Sequence, residues 1–222
     1  MHDQSAKSDT RTVAVEVFAD VICPWCYIGK RRLDMAFAAR PDVTPSYIWR
    51  TFLLNPTMPP EGMERHAYLS AKFGNSAAAV YGRIAAAGLD SGIEFRFDAI
   101  SRTPDSRPAH RMLIAAGPDS AALSEAVYRA YFVDGLDISD RRVLERIAGA
   151  SGRPDLIDAA ADDTVARQLE THLANGNRMR LDGVPFFIFG GKYAIAGAHL
   201  PEHLVPAIDA ATALRAPRHQ AQ

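Results

Sequence analysis

The chain has 222 residues, a formal net charge of −1 and an ordinary globular composition of 48% hydrophobic and 23% charged residues. This length is enough for one domain with a large insertion or for two small domains, and it can bury a core without disulfides. The near-zero charge removes the bulk electrostatic case for binding nucleic acid or anionic membranes. The chain has 2 cysteines, three positions apart, which excludes a disulfide-scaffolded secreted module.

The predicted elements begin with a buried strand at 12–19, a turn at 20–23 and a helix at 24–40. An aromatic and β-branched run at 47–54 predicts a second strand, so the first part of the chain is βαβ. Residues 57–180 are mostly helical, with a short extended piece predicted at 93–97. The end of the chain predicts a hairpin of strands 186–189 and 192–195 around Gly190-Gly191, followed by a helix at 201–214. We therefore predict a discontinuous core, 12–56 and 181–214, interrupted by a helical insertion at 57–180 that includes the connecting helix.

The sequence predicts a cytoplasmic protein without a membrane span. No segment approaches the roughly 18 consecutive apolar residues that a spanning helix requires. The polar N-terminus lacks the apolar region and cleavage site of a secretory signal. In the cytoplasm, a close cysteine pair is more often redox-active or metal-binding than structural.

The motif C-P-W-C at 23–26 is the strongest chemical signal of the sequence. Residues three apart on a helix share a face, so the two sulfurs can meet with little distortion. Cys23 stands just before the first helical turn, where unpaired backbone N–H groups and the positive end of the helix dipole favour a thiolate. Pro24 suits the first helical position, and Trp25 adds no positive charge to a thiolate. We predict that Cys23 attacks a disulfide and that the more sheltered Cys26 resolves the mixed disulfide.

Two other interpretations of the cysteine pair are weaker. Both residues could be small apolar core residues, but coincidence would seldom place them around a proline between a strand and a helix. A zinc site needs two more ligands, and no second cysteine or histidine pair follows at the required spacing. We therefore predict no metal site.

With these residues identified, the sequence resembles the DsbA-like thioredoxin superfamily, and within it the FrnE-type proteins related to 2-hydroxychromene-2-carboxylate isomerases. The resemblance spans roughly 13–213, through the segments FADVICPWCYIGKRRL, WRTFLLNP, PAHRMLIAA, AYFVDGLDISDRRVLERIA and GVPFFIFGGKYAIAGAHLPEHL. It implies an α/β, thioredoxin-like fold with an inserted all-helical domain. It also implies a cis-proline at Val184-Pro185 facing the cysteines, with the Val184 backbone free to pair with an extended substrate.

Two further residues are candidates for the site. Asp20, three positions before Cys23, is either a proton acceptor for a buried Cys26 or a helix cap whose charge opposes thiolate formation. We expect His110 to border the cleft between core and insertion and to contact substrate; the alternative is a surface histidine satisfied by its neighbours.

The resemblance implies a protein disulfide oxidoreductase that needs no cofactor and is recycled by glutathione or another thiol. Its substrate would be a disulfide-containing protein or a small thiol, and the protein would be a monomer or homodimer that binds neither nucleic acid nor membrane. The alternative is a glutathione-dependent isomerase or transferase of the 2-hydroxychromene-2-carboxylate isomerase or kappa-class type. In the isomerase branch the first redox position is usually a serine, whereas here it is Cys23, which favours dithiol chemistry.

Overall fold

The computed structural model describes residues 11–213. The core was predicted to end at position 214, which lies just outside the described residues. The elements in this range are β1 (Arg11–Ala19), α1 (Pro24–Ala38), β2 (Val43–Thr51), β3 (Met63–Glu64), α2 (Arg65–Phe73), α3 (Ala77–Leu89), β4 (Arg102–Thr103), α4 (Arg107–Ala116), α5 (Ser120–Phe132), α6 (Arg141–Ala150), α7 (Leu156–Ala159), α8 (Asp163–Arg178), β5 (Phe186–Phe189), β6 (Tyr193–Ala196) and α9 (Pro201–Ala213).

The central sheet has the strand order β2-β1-β5-β6. β1 and β2 are parallel and connected through α1, whereas β5 pairs with β1 and β6 in antiparallel orientation. Alternate residues of β1, such as Val13 and Val15, are buried, while α1 and α9 pack on each other and on the sheet. This is the βαβ and ββα arrangement predicted from the sequence.

The helices between β2 and β5 pack against the first half of α1. The Tyr27 hydroxyl of α1 donates a hydrogen bond to Glu125 of α5 at 2.7 Å, and Lys30 Nζ lies 2.9 Å from the same carboxylate. The Tyr27 ring also stacks on Tyr128, with ring centroids 5.1 Å apart. Because both fully buried tyrosines lie in one apolar cluster, the inserted helices and the core share a continuous interior.

The structure differs locally from the predictions at β2, at residues 93–97 and at a strand pair inside the insertion. β2 spans Val43–Thr51 rather than 47–54, because its nine residues pair one by one with β1, and Pro45 is tolerated on this edge strand. The 93–97 segment, predicted as a short extended piece, pairs with no described strand; its alternation reflects Phe95 and Phe97, whose rings stack on each other with centroids 4.7 Å apart and pack against the core. The two-residue strands β3 and β4 pair within the insertion, and the sequence did not predict them.

Candidate active site

The C-P-W-C motif lies where β1 ends and α1 begins. Cys23 is the N-cap residue of α1, with extended backbone angles (φ −94°, ψ 114°), and Pro24 opens the helix. The Cys23 carbonyl accepts the backbone N–H of Cys26 at 3.0 Å, which fixes the first turn of the helix. No side chain caps the helix, so the unpaired N–H groups and the positive end of its dipole are left at Cys23.

The two cysteines are free thiols, and both are buried. Cys23 is 4% exposed and Cys26 is 2% exposed, while Trp25 between them is 38% exposed at the surface. Burial raises the pKa of the Cys26 thiol well above its ordinary value, and the hydrogen bond with Cys23, the nearby Cys23 charge and the Asp20 charge raise it further. A backbone hydrogen bond from Asp20 opposes this effect without reversing it. Cys26 is therefore the thiol that keeps its proton.

The segment before β5 faces the Cys23 thiol. The Val184–Pro185 peptide bond is cis, and Cys23 Sγ lies 3.8 Å from the backbone oxygen of Val184. Val184 is half-buried and Pro185 is buried. The two cysteines and this backbone thus form one site from opposite ends of the chain.

Gly29 sets how closely α1 approaches this segment, and it is not among the candidate residues predicted from the sequence. A Cβ at this position would lie 2.7 Å from Pro185 Cγ and 3.2 Å from Phe187 Cζ. These distances leave no room for a larger side chain next to a rigid proline ring. A glycine one helical turn after Cys26 is the only sequence signal of this packing.

Asp20 is fully buried and does not cap α1. Its carboxylate accepts the backbone N–H groups of Ile22 at 3.2 Å and Leu54 at 2.7 Å. Its own carbonyl accepts the Cys23 N–H at 3.0 Å. The side chain therefore ties the ends of β1 and of the segment after β2 together directly behind the thiols.

His110 does not border the cleft, which corrects the expectation that it contacts substrate. None of its surface is exposed, because α4 turns it inward beneath the sheet edge. Its Nε2 lies 3.2 Å from Asp20 Oδ1, and its Nδ1 accepts the indole N–H of Trp49 at 3.3 Å. Trp49 has no signal of its own in the sequence, because strand periodicity alone makes it one more apolar residue of β2.

The described residues contain no group of three or more histidine, cysteine or carboxylate side chains that could hold a metal ion. Within 11–213, no helix is both long enough and apolar enough to span a bilayer.

The family model of the DSBA-like thioredoxin domain matches residues 14–209 of the chain. Among solved structures, a probable DsbA oxidoreductase from Streptomyces coelicolor is similar with a TM-score of 0.80 and 28% identity, over 92% of this chain and 92% of that one. The cytosolic disulfide reductase DsbM from Pseudomonas aeruginosa, solved with GSH, is similar with a TM-score of 0.61 and 20% identity, over 90% and 96% of the two chains.

A 2-hydroxychromene-2-carboxylate isomerase has the same TM-score of 0.61 with 15% identity, over 90% of this chain and 95% of its own. No curated protein matches the chain. The two less similar structures show the shared fold, and the family match covers the core and the inserted helices alike. The α/β, thioredoxin-like fold is confirmed, and the chain belongs to the DSBA-like thioredoxin domain family.

Proposed function

We propose that this protein is a thiol–disulfide oxidoreductase in which Cys23 is the nucleophile and Cys26 the resolving thiol. The observation that carries the proposal is the position of Cys23: a free thiol at the uncapped N-terminus of α1, with Cys26 one turn further and the Val184 carbonyl at 3.8 Å. Helix N-termini favour the thiolate, which is the reactive form.

The reaction has two exchange steps. The Cys23 thiolate attacks one sulfur of a substrate disulfide; the Cys23–substrate disulfide forms, and the other substrate sulfur leaves as a thiolate that takes a proton from water. Cys26 then gives up its proton and attacks Cys23 Sγ, so that the Cys23–Cys26 disulfide forms and the substrate leaves as a second thiol. Two electrons pass from the dithiol to the substrate, and the reverse sequence oxidises a substrate dithiol.

Asp20 is the proposed proton acceptor for Cys26. Its carboxylate is buried, and its charge contributes to the raised pKa of the Cys26 thiol. Cys26 is only 2% exposed, so a buried carboxylate can accept its proton where bulk water has little access.

The proposed substrate is a disulfide-containing polypeptide or a small thiol compound. Its chain would lie along the half-buried Val184 backbone and against Trp25, whose ring is exposed beside the thiols. No cofactor takes part, and glutathione or a thiol protein in the cytoplasm would reduce the Cys23–Cys26 disulfide. DsbM, a cytosolic reductase solved with GSH, is a precedent within this fold for both the compartment and the thiol.

Single-cysteine variants test the proposal. With a disulfide-containing peptide, Cys26→Ser should accumulate a mixed disulfide at Cys23, visible by mass, because the resolving thiol is missing. Cys23→Ser should accumulate none at the sheltered Cys26. A Cys26→Ser protein that traps no adduct would contradict the proposal, and glutathione-dependent isomerase activity that survives Cys26→Ser would establish the alternative function.

A further inference from the structure

A cavity of about 450 Å³ lies among the inserted helices. Its walls come from α4, α6 and α7, and from the short segments that precede α6 and follow α7. A volume of this size is within the range of small-molecule sites. The lining includes neither cysteine nor the Val184–Pro185 segment, so the cavity is separate from the proposed exchange site.

The lining side chains that α4 and α6 bury most deeply in this cavity are apolar. Met112 of α4 is 0% exposed and Leu144 of α6 is 5% exposed. Ile157 and Ala160 line the side of α7 and pack against the hydrophobic core. These side chains gain from contact with hydrocarbon and offer a ligand no hydrogen bond. A ligand of this cavity therefore needs an apolar body.

Three arginines also line the cavity, and two of them are paired with carboxylates. Arg107 lies 2.9 Å from Asp105, which is itself part of the lining. Arg141 lies 2.8 Å from Glu145 and 3.4 Å from Asp158. Because each of these guanidinium groups has an anionic partner, neither brings an uncompensated charge to a ligand.

Arg111 is the third arginine, and its charge has no partner. It lies one turn after Arg107 on the same face of α4 and is half-buried. Within residues 11–213, its guanidinium forms no ion pair and no hydrogen bond. A charge that is partly removed from water without a partner carries a free-energy cost, which a bound anion offsets. A carboxylate suits this position, because it accepts two N–H groups of one guanidinium.

We propose that this cavity binds an aliphatic monocarboxylate, with its carboxylate on Arg111 and its hydrocarbon chain against Met112, Leu144 and Ile157. One carboxylate is expected rather than two, since the other arginines of the lining are already paired. The chain is expected to be aliphatic, because the lining contains no aromatic side chain on which a ring could stack. The site goes beyond the proposed function and does not depend on the thiols.

The test measures binding of octanoate and of octanamide to the whole protein by isothermal titration calorimetry. The two probes have the same hydrocarbon chain, and only octanoate carries a charge. Octanoate should bind with a Kd of about 1 mM or below, and octanamide should bind at least about tenfold more weakly, because it cannot pair with a guanidinium. Equal affinity for the two probes, or no binding of octanoate, would overturn the proposal.

Variants of the lining assign the two parts of the ligand. Arg111→Gln should weaken octanoate binding at least about tenfold and leave octanamide binding unchanged, whereas Arg83→Gln, at an exposed position of α3, should change neither. Ala161→Phe places a ring at the exposed edge of the cavity and should weaken the binding of both probes. If Arg111→Gln binds octanoate as tightly as the unmodified protein does, the proposal is wrong. Urea unfolding midpoints identify any variant that does not fold.

A measurement on the unmodified chain locates the ligand without any substitution. Octanoate should shift the backbone amide resonances of residues around Arg111 and Leu144 and leave those around Cys23 in place. Shifts confined to the surroundings of Cys23 would show that octanoate occupies the exchange site, which would overturn the proposal. Failure of Cys23 and Cys26 to form a disulfide would refute the proposed function and leave octanoate binding unaffected.

Discussion

Cys23 Sγ lies 3.8 Å from the backbone oxygen of Val184, although 161 residues separate the two in the chain. The contact exists because β5 pairs with β1 and so returns the chain to the strand that precedes α1. All of the inserted helices lie between β2 and β5 in the sequence. The site is therefore complete only when both parts of the core have assembled.

Gly29→Ala should weaken both stability and exchange activity. The new methyl group would meet Pro185 Cγ at 2.7 Å, and the proline ring cannot move aside as a flexible side chain would. We expect a net loss of about 1–2 kcal/mol, since overpacking outweighs the helix propensity gained by alanine. Displacing the segment next to Cys23 should also slow thiol–disulfide exchange about tenfold or more.

The matched control is Gly82→Ala on α3, where an added Cβ meets nothing within 4 Å. It should stabilise the protein by roughly 0.5–1 kcal/mol and leave the exchange rate unchanged. Urea unfolding and the rate of peptide disulfide reduction measure the two effects. Equal behaviour of the two variants would contradict the close packing of α1 on Pro185.

His172 should make the protein less stable in mild acid. Burial, together with the nearby Arg50 and His110, lowers its pKa from 6.5 to about 4. As the pH falls from 6.5 towards 4, the unfolded chain binds a proton that the folded chain does not, so the free energy of unfolding decreases. His172 accounts for about 1–3 kcal/mol of this decrease in the free energy of unfolding. The full stability is present above the pKa that His172 has in the unfolded chain.

His172→Asn keeps an acceptor for the Thr51 N–H while removing the titration. The variant should therefore lose less stability than the unmodified protein when urea unfolding at about pH 7 is compared with about pH 4.5. The carboxylates titrate equally in both proteins, so their effects on stability cancel when the two losses are compared. Parallel losses in the two proteins would show that His172 does not control this pH range.

Arg65 should be intolerant of lysine, because the hydroxyl groups of three side chains accept hydrogen bonds from its guanidinium. Arg65 is only 6% exposed, and its guanidinium donates to the Thr103, Tyr131 and Tyr81 hydroxyls at 3.0, 3.3 and 2.8 Å. A lysine cannot reproduce this planar fork, so we expect Arg65→Lys to cost about 1–3 kcal/mol.

Arg83→Lys, at an exposed position of α3, is the control and should change stability by less than about 0.5 kcal/mol. Urea unfolding of both variants gives the comparison. If Arg65→Lys is as stable as Arg83→Lys, the three hydroxyl contacts do not contribute to folding.

Much of this architecture follows from sequence patterns that act locally. The alternating valines of β1, the proline after Cys23 and the Gly190-Gly191 turn predict strands and a helix that the structure contains. The cysteine pair is likewise a local motif. Its place at the start of α1 therefore follows from the predicted elements alone.

The contacts behind the thiols could not be predicted in this way. His110 and Asp20 are 90 residues apart, and Trp49 and His110 are 61 apart, so no periodicity relates them. On a short helix such as α4, the spacing of apolar residues does not tell whether a histidine is buried or exposed. The two-residue strands β3 and β4 are too short to carry an alternating signal.

The most direct test of the central claim is to equilibrate the protein across a series of glutathione redox ratios, trap free thiols and measure the mass. We predict that Cys23 and Cys26 lose their trapping labels together in one reversible two-electron transition, because they form a single disulfide. Cys26→Ser should show no such transition. If the intramolecular disulfide forms at no ratio, the protein is not a dithiol oxidoreductase.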